Sequence, residues 1–303
     1  MTPATKPLRP WLFNHRRRAL LGTALFIGSF ALGGCGYSSW AERQTESRTI
    51  IVPHIAASPL SIVNANGSVE ALSTDREDVS IEVVLGSPHA ERLQLAQVHT
   101  LREADNTLSV WVEWPDGKRL HNEGASISIN LPDARDVRVR SSNGGITIGG
   151  LGGNADLVTS NGTIIVDTFD GNIYAKTSNG KLVADKVSGD IEMYSTNGRI
   201  TISDAFGPIR AETSNGNADI STMPGNVGPV RIRTSNGSIT LNLGEGLEGI
   251  LKCETSNGRV SVTGLPEAKL IETGNQRVEV RVGDSEEISA LRTSNGSVRV
   301  QSR

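Results

Sequence analysis

Aspartates that recur at a fixed spacing are the residues of this chain best suited to chemistry. Asp167 and Asp185 lie 18 residues apart, with Asp170, Asp190 and Asp204 close by. Carboxylates stacked at one repeat spacing would offer the oxygen ligands that Ca²⁺ prefers, or the paired acids used in glycoside cleavage. Aspartate is also a favoured turn residue. We interpret these positions as solvated corners, so the sequence predicts no catalytic residue, no metal site and no cofactor.

A glycine-rich segment at 244–249, Gly-Glu-Gly-Leu-Glu-Gly, matches the spacing of dinucleotide-binding loops. No helical pattern follows it, and Glu245 and Glu248 would repel a pyrophosphate. No nucleotide is therefore expected at this segment.

Tyr174 and Tyr194 both fall on outward positions of an alternating pattern, one repeat apart. An aromatic pair can stack on a sugar ring, but two exposed tyrosines that simply cover a sheet are the favoured interpretation.

The N-terminal segment has the pattern of an export signal that ends in a lipidation site. A basic run at 16–18 precedes an apolar stretch at 19–31, which is too short for a membrane span, and Leu-Gly-Gly-Cys follows at 32–35. This order resembles the lipobox of bacterial lipoproteins, which implies lipidation of Cys35. We therefore expect a signal peptide at 1–34, a polar tether at 35–48 and attachment to a membrane through Cys35. Gly36, in place of aspartate, implies the outer membrane if the organism is Gram-negative.

The predicted mature chain is acidic. Removal of residues 1–34 takes away five of the 30 basic residues and none of the 33 acidic ones, which leaves a net charge of −8. Nucleic-acid binding requires a basic surface, so we expect no nucleic-acid partner.

A Thr-Ser-Asn-Gly motif, or a close variant, recurs through the second half of the chain. Its asparagines are separated by 18, 18, 18, 18, 21, 21, 18 and 20 residues. A period near twenty residues is typical of stacked repeat units. Glycine provides the positive φ that tight corners require. The predicted structural ladder consists of Asn143, Asn161, Asn179, Asn197, Asn215, Asn236, Asn257, Asn275 and Asn295.

Apolar residues alternate with polar ones on both sides of each motif, which predicts two short strands per repeat with one buried face. Ile164 and Val166 follow one motif, and Ile173 and Ala175 precede the next. A chain of hairpins and a propeller both fit such strands. A parallel β-solenoid also explains why the whole motif recurs, because like residues then stack about 4.8 Å apart. The sequence thus favours an all-β fold, a β-solenoid (β-helix) of about nine 18–21-residue coils over 141–303.

Residues 49–140 are strand-like but less regular, and we expect them to form a β-rich N-terminal cap over the end of the stack. Asn-Ala-Asn-Gly at 64–67 reads as an early copy of the motif, and 89–103 as a short helix.

Each repeat has a second corner between its two strands, marked by a glycine nine residues after the motif glycine, as at Gly153 and Gly171. Two repeats carry three extra residues each near this second corner. Insertions in a solenoid form loops on one side, often the binding side. The candidate partner-binding residues are Pro224, Gly225, Asn226, Gly244, Glu245 and Gly246.

The lipobox, the irregular β segment and the stacked Asn-Gly repeats together resemble the bacterial putative-adhesin family of β-strand-repeat lipoproteins, a domain of unknown function. The resemblance covers about residues 50–303 and implies no catalytic residues. We therefore expect a non-enzymatic, lipid-anchored protein of the cell envelope that presents a binding surface to an envelope protein or a glycan. The alternatives are a polysaccharide-active β-helix enzyme and a periplasmic accessory for envelope stress or assembly.

Overall fold

The computed structural model describes residues 25–28, 43–226, 228–265 and 268–302 of the 303-residue chain. Cys35 and most of the predicted signal peptide and tether lie outside these ranges. The described residues are all-β, with 24 strands in one hydrogen-bonded network, an α-helix at Ala90–Leu95 (α1) and a 3₁₀ turn at Pro115–Gly117. The strands are β1 (Leu25–Gly28), β2 (Gln44–Pro53), β3 (Leu60–Val63), β4 (Val69–Ser73), β5 (Asp78–Ser87), β6 (Gln97–Arg102), β7 (Leu108–Glu113), β8 (Gly124–Leu131), β9 (Arg135–Arg140), β10 (Ile146–Val158), β11 (Ile164–Asn179), β12 (Leu182–Val187), β13 (Ile191–Asn197), β14 (Ile200–Ala205), β15 (Ile209–Asn215), β16 (Ala218–Thr222), β17 (Val230–Asn236), β18 (Ile239–Leu243), β19 (Gly249–Asn257), β20 (Val260–Thr263), β21 (Lys269–Thr273), β22 (Arg277–Val282), β23 (Ile288–Asn295) and β24 (Val298–Ser302).

The repeats pair in parallel, in a register set by the repeat length. Ile164 of β11 lies opposite Leu182 of β12, and Ile173 lies opposite Ile191 of β13, so each pairing joins residues 18 apart. The register matches the repeat because the buried face of every strand must point the same way. Two runs of parallel strands result, one before and one after the Asn-Gly corner.

We call the run before this corner the pre-motif ladder and the run after it the post-motif ladder. A rung consists of one strand of each ladder, joined by a corner. In stacking order the pre-motif ladder contains β7, β3, β9, the second halves of β10 and β11, β13, β15, β17, β23 and β19. The post-motif ladder contains β8, β4, the first halves of β10 and β11, β12, β14, β16, β18, β24 and β20.

The core lies between the inward faces of the two ladders. Ile191 and Met193 of one rung, and Ile200 and Ile202 of its continuation, are each at most 1% exposed. Equivalent side chains from all rungs form one continuous apolar cluster. The core is narrow, since most of its members are Ile, Val, Leu and Ala.

At the N-terminal end, the order of the rungs differs from the order of the sequence. The first rung in sequence, β3 and β4, lies between β7–β8 on one side and β9–β10 on the other. The Asn66-Gly67 corner of this rung pairs with Asn143, as the early copy of the motif predicts. Antiparallel strands β6, β5 and β2 then cover this end, and β1 pairs with β2.

The C-terminal end shows the same kind of rearrangement. The last rung, β23 and β24, is inserted between β17–β18 and β19–β20, which are neighbours in sequence. The rungs at this end therefore do not stack in sequence order. An antiparallel hairpin, β21–β22, pairs with β19 and completes the pre-motif side.

The predicted helix over 89–103 is shorter than expected. Only Ala90–Leu95 is helical, and Gln97–Arg102 instead forms β6, which pairs antiparallel with β7. Tertiary strand pairing overrides the local helical pattern.

Candidate functional site

A ladder of asparagine side chains runs along the corner between the two ladders. Each amide Nδ2 donates to the Oδ1 of the asparagine one rung earlier in the stack, at 2.8–2.9 Å. Its members, in stacking order, are Asn143, Asn161, Asn179, Asn197, Asn215, Asn236, Asn295 and Asn257. These side chains are exposed to solvent, so their amides align the corners from outside the core.

A second series of hydrogen bonds runs inside the same corner. The motif threonine, or the serine that replaces it, donates its hydroxyl to the carbonyl oxygen of the motif glycine one rung earlier. Thr177 is 2% exposed, and its Oγ1 lies 3.1 Å from the oxygen of Gly162. The bond recurs at Thr159, Ser195, Thr213, Thr234, Thr255 and Thr293. The full motif thus bonds each rung to the one before it.

Asn275 is not part of the asparagine ladder, although the spacing predicts it. It lies in the turn between the antiparallel strands β21 and β22. Its carbonyl oxygen accepts a hydrogen bond from Val260 N at 2.9 Å, and Gln276 Nε2 donates to Ser256 O at 2.8 Å. The repeat with Gln276 in place of glycine therefore ends the pre-motif side instead of adding a rung.

The packing of the motif glycines explains why a repeat without this glycine cannot add a rung. A Cβ on Gly180 would overlap the carbonyl oxygen of Gly162 on the neighbouring rung, and Gly198 and Gly216 are placed in the same way. Close approach of two backbones therefore requires glycine at these three positions, where no positive φ is found. Positive φ occurs at other motif glycines, such as Gly296 at 148°, and at second-corner glycines, such as Gly153 at 84°.

The two inserted loops lie side by side at the second corner. Gly225 N donates to Glu245 O at 2.5 Å, and Pro224, Gly225, Glu245 and Gly246 are exposed. Gly244 and Asn226 are buried, and Asn226 Nδ2 donates to the oxygens of Ala205 and Gly207 at 3.3 and 3.1 Å. These two residues hold the loops in place and are not available to a partner.

The structure places two of the candidate aspartates side by side on the post-motif ladder. Asp167 and Asp185 lie opposite each other on adjacent strands, and Asp185 forms an ion pair with Lys186 at 3.4 Å. Within the ranges that the structure describes, no three His, Cys, Asp or Glu side chains are grouped so as to hold a metal ion.

Cys253 is a buried thiol in the core of the pre-motif ladder. Burial raises its pKa to about 12, so the thiolate is scarcely populated at neutral pH. The side chain packs as a small apolar residue.

An ion pair between Arg92 and Glu123, which no sequence pattern predicts, fixes α1 against the N-terminal strands. Glu123 is 0% exposed and accepts hydrogen bonds from Arg92 Nε at 2.5 Å and from Leu120 N at 2.6 Å. Burial raises the pKa of Glu123, but the hydrogen bonds from Arg92 and Leu120 outweigh burial, and the net pKa is below its ordinary value. No periodicity marks this site, since the partners are distant in sequence.

The outward face of the pre-motif ladder has a cluster of aromatic and charged side chains. The rings of Tyr174 and Tyr194 lie 5.7 Å apart and are tilted by 43°, and Arg210 lies 5.8 Å from the centre of the Tyr194 ring. The Tyr194 hydroxyl donates to Glu192 at 2.8 Å, and Arg210 donates to Glu212 at 2.7 and 3.0 Å. Burial and the bond to Glu192 raise the pKa of Tyr194 to about 12, so the hydroxyl stays protonated.

Arginines continue this face toward the C-terminal end. Arg231 is the register neighbour of Arg210, and Arg233 lies between Glu212 and Arg292. Arg231 and Arg233 are exposed, and neither has an ion pair within the described residues. We call this region the Tyr–Arg surface; it comprises Tyr174, Tyr194, Arg210, Arg231, Arg233 and Arg292.

Sequence reasoning found the two tyrosines and missed the arginines. The signal was present, since Arg210 and Arg231 are separated by one 21-residue repeat and both alternate with buried residues. The alignment of these arginines is hard to recognise in the sequence, because the repeats differ in length and the last rung is inserted. Arg292, for example, is the register neighbour of Arg233 although it lies 59 residues later.

Among the residues that the structure describes, no helix is long and apolar enough to cross a membrane.

Comparison with known proteins gives only distant likenesses. No protein-family model matches the chain, and no curated protein matches it. A crystal structure described as a putative adhesin from Bacteroides fragilis aligns at 14% identity with a TM-score of 0.44, over 88% of this chain and 100% of that one.

Two further crystal structures align more loosely. One is described as a putative cell adhesion protein from Clostridium sporogenes, with 14% identity and a TM-score of 0.28 over 86% of this chain and 100% of that one. The other is described as a putative lipid binding protein from Parabacteroides distasonis, with 12% identity and a TM-score of 0.29 over 84% and 96% of the two chains. At these scores neither a fold nor a function is transferred to this chain.

Proposed function

We propose that this chain is a non-enzymatic, lipid-anchored β-solenoid of the cell envelope that presents a binding surface, in an adhesin-like or scaffolding role. In this proposal Cys35 carries the lipid once residues 1–34 are removed. Residues 36–43 are the tether, because β2 begins at Gln44. Residues 44–140 supply the antiparallel cap and the first rungs, and 141–303 supply the remaining coils.

The observation that supports a binding role is the pair of long parallel ladders with aligned outward side chains. Hydrogen bonds from the asparagine and threonine columns fix each rung to the one before it. Outward side chains such as Tyr194 and Arg210 are therefore held on a rigid backbone. Side chains fixed in this way bind a partner with little loss of conformational entropy.

The anchor is tested by phase partitioning of the full chain, expressed in a Gram-negative host, against its Cys35→Ser variant. The unsubstituted protein should enter the detergent phase, and the variant should stay in the aqueous phase. Recovery of both proteins in the aqueous phase would rule out lipidation.

Protease treatment of intact cells then separates the two roles. Loss of the ladder region while a periplasmic control protein survives would support adhesion to an outside surface. Survival of the ladder region until the envelope is permeabilised would overturn adhesion and leave the scaffolding role.

A further inference from the structure

The Tyr–Arg surface concentrates positive charge where the fold alone gives no reason for it. Arg210 and Arg231 are register neighbours on adjacent strands, and so are Arg233 and Arg292. Strands in a ladder are about 4.8 Å apart, and like charges directly opposite each other destabilise a sheet. One arginine of each pair is bonded to a glutamate, Arg210 to Glu212 and Arg292 to Glu254, which leaves Arg231 and Arg233 as the members that no ion pair of the described residues balances.

Arginines on both flanks of this surface form ion pairs with acids of the chain. Toward the N-terminal end, Arg138 and Arg140 both pair with Asp156. Toward the C-terminal end, Arg277 pairs with Glu254 and Glu272. The unpaired arginines, Arg231 and Arg233, lie between these flanks.

Acidic side chains on this surface are already engaged. The carboxylate of Glu192 accepts the Tyr194 hydroxyl, and Glu212 accepts two bonds from Arg210. Glu254, beside Arg292, is shared between Arg292 and Arg277. None of these carboxylates lies within 4 Å of a nitrogen of Arg231 or Arg233 in the described structure.

The aromatic pair adds a second kind of contact next to the arginines. Tyr174 is 37% exposed, and its ring is held at an angle to Tyr194, whose hydroxyl is fixed by Glu192. A ring held in this way presents an apolar face beside polar groups. Together the surface spans five adjacent strands, from β11 to β23, which is about 19 Å along the stack.

We propose that the Tyr–Arg surface binds a linear acidic polysaccharide, with sugar carboxylates on Arg231 and Arg233 and a sugar ring against Tyr174. This inference rests on the binding role proposed above and names the ligand class. Arginine binds carboxylates through two parallel hydrogen bonds. Glu192 and Glu212 have remaining acceptor capacity for sugar hydroxyl donors.

The same acids argue against a nucleic acid. Duplex DNA carries a phosphate charge about every 1.7 Å, and such a strand would meet Glu192 and Glu212 as well as the arginines. Spaced carboxylates on a sugar polymer fit alternating Arg and Glu side chains, whereas a continuous row of phosphates does not.

The test is titration of the full chain with polygalacturonate, with neutral dextran and single-stranded DNA as comparison ligands. The variant is Arg231→Gln/Arg233→Gln. The matched control is Arg259→Gln/Arg299→Gln, which removes the same charge from exposed positions off the Tyr–Arg surface. Thermal unfolding of each variant checks that it is folded, and the arginine variant should be at least as stable as the parent, because like-charge repulsion is relieved.

The expected result is binding of polygalacturonate but not dextran, with a loss of affinity of about tenfold or more in the Arg231/Arg233 variant and little change in the control. Tyr174→Leu should weaken binding without changing its dependence on salt. Equal losses in the variant and the control, no binding of polygalacturonate above dextran, or displacement of polygalacturonate by DNA would each overturn the proposal. A protein that stays anchored and surface-exposed while failing this titration would keep the binding role and lose only this ligand.

Discussion

Asn295 Nδ2 donates a hydrogen bond to Asn236 Oδ1 at 2.8 Å, although the two residues are 59 apart in sequence. Asn257 in turn donates to Asn295, so the C-terminal asparagine lies between two that are consecutive in the repeat. Thr293 and Thr255 repeat this order, since they donate to Gly237 and Gly296 respectively. Two columns of side-chain contacts thus agree on the inserted rung.

This insertion predicts which engineered cysteines can form a disulfide. Thr240 and Arg299 are register neighbours on adjacent strands, about 4.8 Å apart and within the Cα range of a disulfide. Thr240→Cys/Arg299→Cys, in a Cys35→Ser background, should crosslink on mild oxidation. Non-reducing electrophoresis and mass spectrometry of the linked peptides provide the measurement.

The matched pair is Thr240→Cys/Ser261→Cys. These positions would be neighbours if rungs stacked in sequence order, but Arg299 lies between them. They are about 9.6 Å apart, beyond disulfide range. Rapid crosslinking of this pair, and none of the first, would show that the last rung is not inserted.

Gly180→Ala should be strongly destabilising, because the new Cβ would overlap the carbonyl oxygen of Gly162. We expect a loss of about 3 kcal/mol in the free energy of unfolding, measured by chemical denaturation. Gly145→Ala is the control, since its Cβ would lie 3.3 Å from Thr163 O and needs only a small adjustment. Similar losses in the two variants would mean that close approach is not what selects glycine.

Thr177→Val should lower stability more than Asn179→Ala. Thr177 is buried, and its loss removes a hydrogen bond to Gly162 O inside the corner, at about 2 kcal/mol. Asn179 is exposed, and water can replace its ladder partners, so about 1 kcal/mol is expected. The opposite ranking of the two variants would show that the exposed amide ladder, and not the buried hydroxyl, contributes more to the stability of the corner.

Stability should fall in acid partly through Glu123. Its pKa is lowered in the folded protein, so its contribution is complete above the unfolded value near 4.3 and is lost as pH falls through the folded value. Glu123→Gln should cost about 3 kcal/mol at neutral pH, because Arg92 keeps its charge without a charged partner. The difference between parent and variant, measured by denaturation from pH 7 to pH 3, should shrink toward low pH. A constant difference would show that the carboxylate is not stabilised in the folded state.

The sequence predicts the local structure well, because each repeat contains both the apolar–polar alternation of its strands and the Asn-Gly motif of its corner. Alternation identified the buried faces, as at Ile191 and Met193, and the motif placed the corner asparagines. The stacking order of the rungs could not be predicted from the sequence. The repeats are so similar that any rung can pair with any other, and no residue of a rung specifies its neighbours. The one local clue was Gln276, which cannot occupy a glycine position and marks the repeat that leaves the stack.

In the candidate site, too, local features could be predicted from the sequence and contacts that depend on tertiary structure could not. Outward orientation of Tyr174 and Tyr194 follows from alternation, and the rings are in contact. Their register also follows from the 18-residue spacing, which places Tyr174 opposite Glu192 and Tyr194 opposite Lys176. The buried Arg92–Glu123 pair and the position of Arg292 beside Arg233 depend on tertiary placement.

The inserted last rung also constrains the sequence of events as the chain emerges from a ribosome or an export channel. Strands β19 and β20 appear before β23 and β24, yet their place in the stack lies beyond them. If each rung paired with the previous one as soon as it emerged, β19 would pair with β17. The edge of β17 with which β23 pairs in the folded protein would then be occupied. Correct assembly therefore requires that β19 and β20 either remain undocked, or dissociate from β17 and β18, until β23 and β24 have been synthesised and have paired.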